Sequence, residues 1–599
     1  MPMFVNEHGE GKGFSRRAAL VAGAAAGTAA MVGFGAAGEA DAGEFPAGPG
    51  GAPPGSAESY EGDLVLYNGR IHTMNDRDDI VEVVAIQDGT IAYTGGSLGA
   101  AMRQFSGGPG PQAIDLRGQM ACPGIIDATN HVSLLGNRPG HHTPLEYAAS
   151  IADVLAIYRA RARSIPKSPS PPTSADSFIT TMGDIVPEQL KEQRLPTLAE
   201  LDAAVPDHPV YLTVNFTGPS VTNSLGKAFF TSAQPYPVTV GADGSIAEGE
   251  QTGRATFALR QTLTFASRMR GFRDAFAYLA SIGLTTNIET GAFQTTNTPA
   301  DNVATEDNFT YNIPAMAVYA AGQGTVRMRI NWLHMDTTAS LPTLTQRVLN
   351  SLQFNGNDMV ATGGIGEWIA GDQFAPGPVF QDACLFLAEN RWRAECQSIT
   401  QTDYPGQVQA YEMANAKYPI TDLRWMIAHA NYVTEPYLNR LKAVGAGVTA
   451  SGWQYLQGTS LGSTPGGPAY RTLFGNGIPV GMDSDAADVS VFVPWVQMYY
   501  ATTGLNVLGQ QINPGQHATR QEALFHYTNG NTWFVGPPAG LGPPDGDLLG
   551  VLEVGRRGDV VVPSADYFAV PDESLKTIYS ALTVVNGKVV HAGPVRYAA

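Results

Sequence analysis

The side chains best placed for chemistry are imidazoles and carboxylates that end short apolar runs. His429 sits in Ile427-Ala428-His429-Ala430, His334 closes Ile330-Asn331-Trp332-Leu333, and Asp483 ends Ile478-Pro479-Val480-Gly481-Met482. His131 follows Ile125-Ile126-Asp127-Ala128-Thr129-Asn130, and Asn215, Asn287 and Glu289 also fall near expected strand ends. Strand ends are where barrel enzymes keep functional groups, and imidazole is the side chain that changes charge near neutral pH. Asp485 and Asp488 crowd the segment after Asp483, where they would orient other groups or, as the plainer reading has it, form a hydrated acidic rim. His141 and His142, in a Pro/Gly segment, read as a solvated loop that could cover a site. His72, His208, His517, His526 and His591 lack such context and read as structural or surface residues. Trp453, Tyr455, Trp495 and Tyr499 could wall a small-molecule pocket, although aromatics at such spacing more often fill a core.

The elements that must position these groups are of two kinds. Short strands around Asn68-Gly69, Asp88-Gly89 and Asn586-Gly587, dipeptides that supply positive φ in tight hairpins, predict all-β pieces at 61–121 and 548–599. Between them, over 122–547, apolar strands alternate with helical stretches such as Ile151 to Arg163 and Pro436 to Val444. That alternation predicts an α/β fold with a parallel sheet, and its length suits a TIM-like (β/α)8 barrel with insertions, beside a small β-sandwich built from both ends of the chain. Polar segments 162–176 and 293–306 read as loops.

The chain has 599 residues, net charge −18, 68 Gly and 41 Pro, which excludes a coiled coil and a general nucleic-acid binder. Three cysteines, Cys122, Cys384 and Cys396, give neither a disulfide framework nor a metal knuckle. Residues 1–42 carry Ser15-Arg16-Arg17, a Gly/Ala-rich apolar stretch and Ala40-Asp41-Ala42, which predicts a twin-arginine export signal followed by a flexible tether over 43–60. The product is expected outside the cytoplasm, periplasmic or extracellular, with no stable membrane insertion after cleavage.

The block Pro123-Gly124-Ile125-Ile126-Asp127-Ala128-Thr129-Asn130-His131 resembles the opening strand of the amidohydrolase superfamily, in its YtcJ-like branch, where two histidines alternate on one strand face. Arg471–Asp483, Gln521–Thr528 and Gly550–Val562 resemble, in order, that family's final-strand Gly-Ser-Asp block, its Glu-Ala-Leu helix and its return to the β-sandwich. The resemblance implies a metal centre, and position by position that centre is altered. Thr129 stands for the first histidine and His131 for the second. The metal-bridging lysine would fall in 364–371, where none occurs, and Glu367 could replace it unless a one-residue shift turns it away. Counting from Trp392, with Glu412 supporting the register, puts Gln397 at the strand-5 histidine. His429 matches the strand-6 histidine and Asp483 the strand-8 aspartate.

The resemblance therefore implies metal ligands His131, His429, Asp483 and Glu367, holding one divalent cation: zinc, with iron or manganese as alternatives. Asp483 is expected to move the proton, with His429 or His334 at the oxyanion and Thr129, Gln397 and Trp453 toward substrate. The expected activity is exported, metal-dependent hydrolysis of a C–N bond in a small molecule, an amide, carbamate or cyclic imide. The alternative is a silent or metal-free barrel that binds a ligand or runs another reaction such as decarboxylation. A homodimer is one option for assembly.

Overall fold

The computed structural model describes residues 63–105, 110–215, 218–291, 310–457, 466–538, 540 and 545–593. The expected export signal, the tether and the loop at 293–306 lie outside the described residues.

Eight parallel strands position the site. In chain order they are β1 (Ile125–Asn130), β2 (Leu284–Glu289), β3 (Arg327–Trp332), β4 (Val360–Ile365), β5 (Glu395–Gln397), β6 (Met426–Ala428), β7 (Gly447–Ser451) and β8 (Val480–Asp483). β1 to β4 form one sheet and β5 to β8 another, each pairing its strands in sequence order. The sheets also touch along both outer edges. Ile365 N–H donates to Arg393 O at 3.0 Å and Gln397 N–H to Glu367 O at 2.8 Å, while His131 N–H donates to Ala486 O at 2.6 Å and Asp485 N–H to Thr129 O at 3.0 Å. Every residue of β1, β2, β3 and β8 is buried, as expected of parallel strands covered on both faces. The helix Phe265–Ile282 shows how the connections work: Thr264 caps its start by accepting from Ser267 N–H, and Gly283, at φ 96°, ends it one residue before β2.

A feature the sequence reading did not separate lies between β1 and β2. Strands His141–His142, Ile179–Met182, Val210–Thr213, Ser220–Thr222 and Ser245–Ile246 form a five-stranded sheet of their own. Phe178, Tyr211, Phe230 and Leu259 give it a separate apolar cluster. His141 and His142 thus occupy a strand rather than a loop, and Asn215 follows a strand of this inserted sheet, Val210–Thr213, rather than one of the eight strands.

The terminal β pieces form a four-stranded and a six-stranded sheet. Leu64, Leu66, Val84 and Ile86 of the first pack in one cluster with Ile71, Ala121, Val560 and Val584 of the second. Asp88-Gly89 and Asn586-Gly587 are hairpin turns with both residues at positive φ. Asn68-Gly69 is not a hairpin: it passes the chain from Leu64–Tyr67 in one sheet to Arg70–His72 in the other. The buried pair Arg327–Asp559, to which Asn586 adds its side-chain carbonyl, ties β3 to this region. All three cysteines are free and buried.

Candidate active site

Alternation along β1 turns Asp127, Thr129 and His131 to one face, and each meets a different partner. Asp127 accepts from Ser484 N–H at 3.0 Å and Ser484 Oγ at 2.5 Å, pinning the turn after β8; burial pushes its carboxyl up to about 7. His131 Nδ1 lies 3.2 Å from Gly291 O, and since a carbonyl only accepts, Nδ1 carries the hydrogen. Its Nε2 then faces Glu367 Oε2 at 3.2 Å and Asp485 Oδ1 at 3.3 Å. One ligand atom from each of His131, Glu367 and Asp485 lies within 4.8 Å of the others, and all three residues are buried.

His429, fully buried, joins this group from β6. Its Nδ1 contacts Ser451 Oγ, which donates its one hydrogen to Asp483 Oδ1; Nδ1 is therefore the donor to Ser451. Nε2 is left facing Asp485 Oδ1 at 3.5 Å with no hydrogen-bond partner. Burial alone would lower this imidazole, but the Asp485 and Asp483 carboxylates outweigh it and raise it to about 9. The same opposition, with Glu367 and Asp485 as the charges, holds His131 well above its usual range. The Trp453 ring packs on His429 at 4.7 Å between centroids, with its own N–H unpartnered.

His334 repeats the arrangement at the end of β3. Thr343 Oγ1 lies 2.9 Å from His334 Nδ1 and donates to Asp336 Oδ1 at 2.9 Å, so Nδ1 again carries the hydrogen and Nε2 is buried without a partner. Burial, aided by Arg347, pushes this imidazole down to about 3, so it is neutral. Its backbone N–H donates to Trp368 O at 2.9 Å, beside Glu367.

Three of the converging residues have left-handed backbones: Glu367 at φ 60°, His429 at 57° and Asp485 at 52°. Each follows the end of its strand by one or two residues, where a positive φ breaks the alternation that would otherwise set the side chain's direction. The one-residue ambiguity at Glu367 is settled this way, with its carboxylate toward His131. Asp485 lies in the cluster rather than on a hydrated rim, 6% exposed, whereas Asp483 stands behind His429. The signal available in sequence was Ser484-Asp485, which reproduces the Ser-Asp of the Gly-Ser-Asp block two residues downstream of the match read at Asp483.

The remaining expected contributors have partners of their own. Thr129 Oγ1 spends its hydrogen-bonding on Ala128 O at 2.7 Å and Glu395 Oε1 at 3.2 Å rather than toward a substrate. Gln397 is buried at the end of β5, with its backbone bonded to Glu367 O and to the Gln407 side chain. Glu412 pairs with Arg440 on the neighbouring helix, at 2.7 and 2.8 Å. Trp495 donates to Ile282 O and Tyr499 to Glu573, so both belong to the packing around the strands. Glu289 accepts from Ser133 and Gly291 N–H at 2.6 and 3.0 Å, bracing the segment that holds His131. Asp488 pairs with Arg138 at 3.1 Å, and Arg138 also meets Asp184 and His142, which links the inserted sheet to the loop after β8.

The donor set suits a divalent cation. Two buried carboxylates, Glu367 and Asp485, face the Nε2 atoms of two imidazoles whose Nδ1 hydrogens are turned outward, the orientation metal-binding histidines adopt, while Asp483 stands on the Nδ1 side of His429. Glu367 Oε2, His429 Nε2 and Asp483 Oδ2 have no hydrogen-bond partner, a costly state for buried polar atoms.

Among curated proteins the chain is similar to N-substituted formamide deformylase of Arthrobacter pascens, 30% identical over 208 residues, 33% of this chain and 34% of that one. It is also similar to the exoenzymes regulatory protein AepA of Pectobacterium carotovorum subsp. carotovorum, 26% identical over 178 residues, 29% of this chain and 36% of that one. The match thus spans about a third of the length of these relatives. Among solved structures, an uncharacterized metal-dependent hydrolase from Pyrococcus horikoshii OT3 superposes with TM-score 0.54 at 17% identity, over 85% of this chain and 99% of that one. One from Pyrococcus furiosus gives 0.53 at 18%, over 84% and 100%. The family model described as amidohydrolase family matches residues 112–591, most of the length, and by that match the chain belongs to the amidohydrolase family.

Proposed function

We propose that this protein hydrolyses a C–N bond of a small molecule at a centre in which His131, Glu367 and Asp485 hold one divalent cation, with His429 Nε2 facing it. The observation that carries the reading is the buried cluster of His131, Glu367 and Asp485 ligand atoms, with Glu367 Oε2 and the neighbouring His429 Nε2 lacking a hydrogen-bond partner. A cation bound there supplies Lewis acidity, which polarises a carbonyl and makes water a better nucleophile near neutral pH. Asp485 Oδ1, between the two imidazole Nε2 atoms, is the group to take a proton from water and return it to the leaving nitrogen. Asp483, through Ser451, fixes the His429 ring rather than moving the proton itself. Of the two histidines expected at the oxyanion, His334 is neutral with its hydrogen on Nδ1, so its Nε2 accepts and suits a substrate N–H, and His429 Nε2 is given to the cation.

The same reading takes the eight strands as a complete (β/α)8 barrel and the terminal sheets as a β-sandwich. It keeps export through a twin-arginine signal, a small-molecule rather than nucleic-acid partner, and a homodimer as an option. Among the described residues no helix is long and apolar enough to cross a membrane.

The name of the formamide deformylase relative makes N-substituted formamides the first probes, followed by carbamates and cyclic imides. Purified protein loaded with zinc, iron or manganese is expected to release amine, and to stop after chelation and in Asp485→Asn with its circular dichroism unchanged. Turnover that survives exhaustive chelation, or a chain that binds no metal, rejects the proposal.

A further inference from the structure

Thr129 and His131 share one face of β1, and the family pattern puts an imidazole at both positions. Only His131 reaches the cluster. Thr129 Oγ1 instead lies 3.2 Å from Glu395 Oε1, and Asn331 Nδ2 donates to Glu395 Oε2 at 3.2 Å. Asn331 cannot present its oxygen there, because Gly364 N–H donates to Oδ1 at 2.9 Å and fixes the amide. The group facing Glu395 is therefore an N–H donor, the opposite of what a cation needs from its surroundings. Asn331 also fills the space in front of β4. A Cβ at Gly363 would fall 1.9 Å from its Oδ1, and one at Gly366 would fall 2.5 Å from its Cβ. The family's bridging lysine is expected within 364–371, so at Gly366 the room for that side chain is taken by Asn331.

We infer that Thr129, Glu395 and Asn331 together occupy the place of a second cation, so that the centre at His131, Glu367 and Asp485 binds one metal ion per chain and no more. The inference rests on the reading of that cluster as a metal centre. The three residues close without any ion if Glu395 is a neutral carboxylic acid. Asn331 donates to Oε2, the Glu395 hydroxyl donates to Thr129 Oγ1, and Thr129 donates to Ala128 O at 2.7 Å. All three residues are buried, and burial pushes Glu395 up to about 8, in keeping with that state.

The test is metal stoichiometry. The purified chain is exchanged with excess zinc or manganese, desalted and analysed for metal, and the manganese form is examined by electron paramagnetic resonance. One equivalent is expected, with the spectrum of an isolated ion, in the wild type and equally in Glu395→Gln, whose amide reproduces the hydrogen bonds of the neutral acid. Two equivalents or a spin-coupled pair in the wild type, or an equivalent lost in Glu395→Gln, overturns the inference and leaves the metal centre standing. No metal in the wild type overturns the metal centre itself, and the inference falls with it.

Discussion

Two halves of the strand mouth are built from similar polar residues and end in opposite states. Around Glu395, each polar atom has found a protein partner: Thr129, Asn331 and Gly364 make a closed set. Around Asp485, two residues further along the chain from Thr129 at His131, Glu367 Oε2, His429 Nε2 and Asp483 Oδ2 are buried without a hydrogen-bond partner. Leaving one such group unsatisfied costs about 1–3 kcal/mol, and a left-handed non-glycine residue adds about 1–3 kcal/mol more. Glu367 and His429 carry both kinds of cost, and Asp485 beside them carries the backbone one. The closed half is satisfied within the protein, and the open half holds the ligand atoms of the proposed centre.

The comparison breaks most visibly at Asp485. Asp485→Asn is expected to lower kcat by about 10³-fold or more, because on the proposed reading it removes both a ligand and the proton carrier while keeping the shape of the site. Asp483→Asn and Ser451→Ala act only through the His429 ring, so about 10- to 100-fold in metal affinity or activity is expected of each. Steady-state kinetics with metal titration measures both. If Asp483→Asn matches Asp485→Asn, the two aspartates have been assigned in the wrong order.

In the closed half the expected damage is to stability instead. Thr129→Val leaves Glu395 Oε1 without its partner and is expected to cost about 1–3 kcal/mol in denaturant unfolding. Glu395→Gln, which keeps the hydrogen bonds, is expected to be nearly neutral at acid pH. The sign of its pH dependence follows from the raised carboxyl, at about 8 in the folded chain against an ordinary 4.5. Between those values the unfolded chain has released the proton and the folded chain still holds it, so wild-type stability falls as pH rises through the window. Glu395→Gln lacks that loss and should gain on the wild type from pH 4.5 to 8. A gap between the two that stays flat with pH would show that Glu395 is ionised in the fold.

Much of this was legible in the sequence, and the unread part has a common physical cause. Apolar runs and turn dipeptides located β1, β6, β8 and the terminal strands, because strand burial follows a pattern of period two or unbroken hydrophobicity. That period holds only inside a strand. Glu367, His429 and Asp485 sit one or two residues past strand ends at positive φ, so parity left Glu367 open, and the family match taken at Asp483 left Asp485 on a rim. The closed half was illegible for a different reason. Thr129, Asn331 and Glu395 are 64 or more residues apart, and nothing local marks them as partners. The hairpin expected at Asn68-Gly69 failed in a similar way, since a turn dipeptide specifies the local backbone but not which sheet receives the next strand.

The smallest expected effect tests whether the open half extends to the walls. Trp453 packs its ring on His429 while its indole N–H, buried, has no partner. Two roles are therefore separable in one residue: holding the imidazole in place, and donating a hydrogen bond to whatever binds. Trp453→Phe keeps an aromatic ring against His429 and removes only the donor. If the N–H meets substrate, kcat/KM should fall by about 5- to 10-fold, the worth of one ordinary hydrogen bond, with metal content unchanged. If the ring alone matters, Trp453→Phe should leave kcat/KM alone and Trp453→Ala should lower metal affinity instead, placing Trp453 with Ser451 and Asp483 among the groups that hold His429.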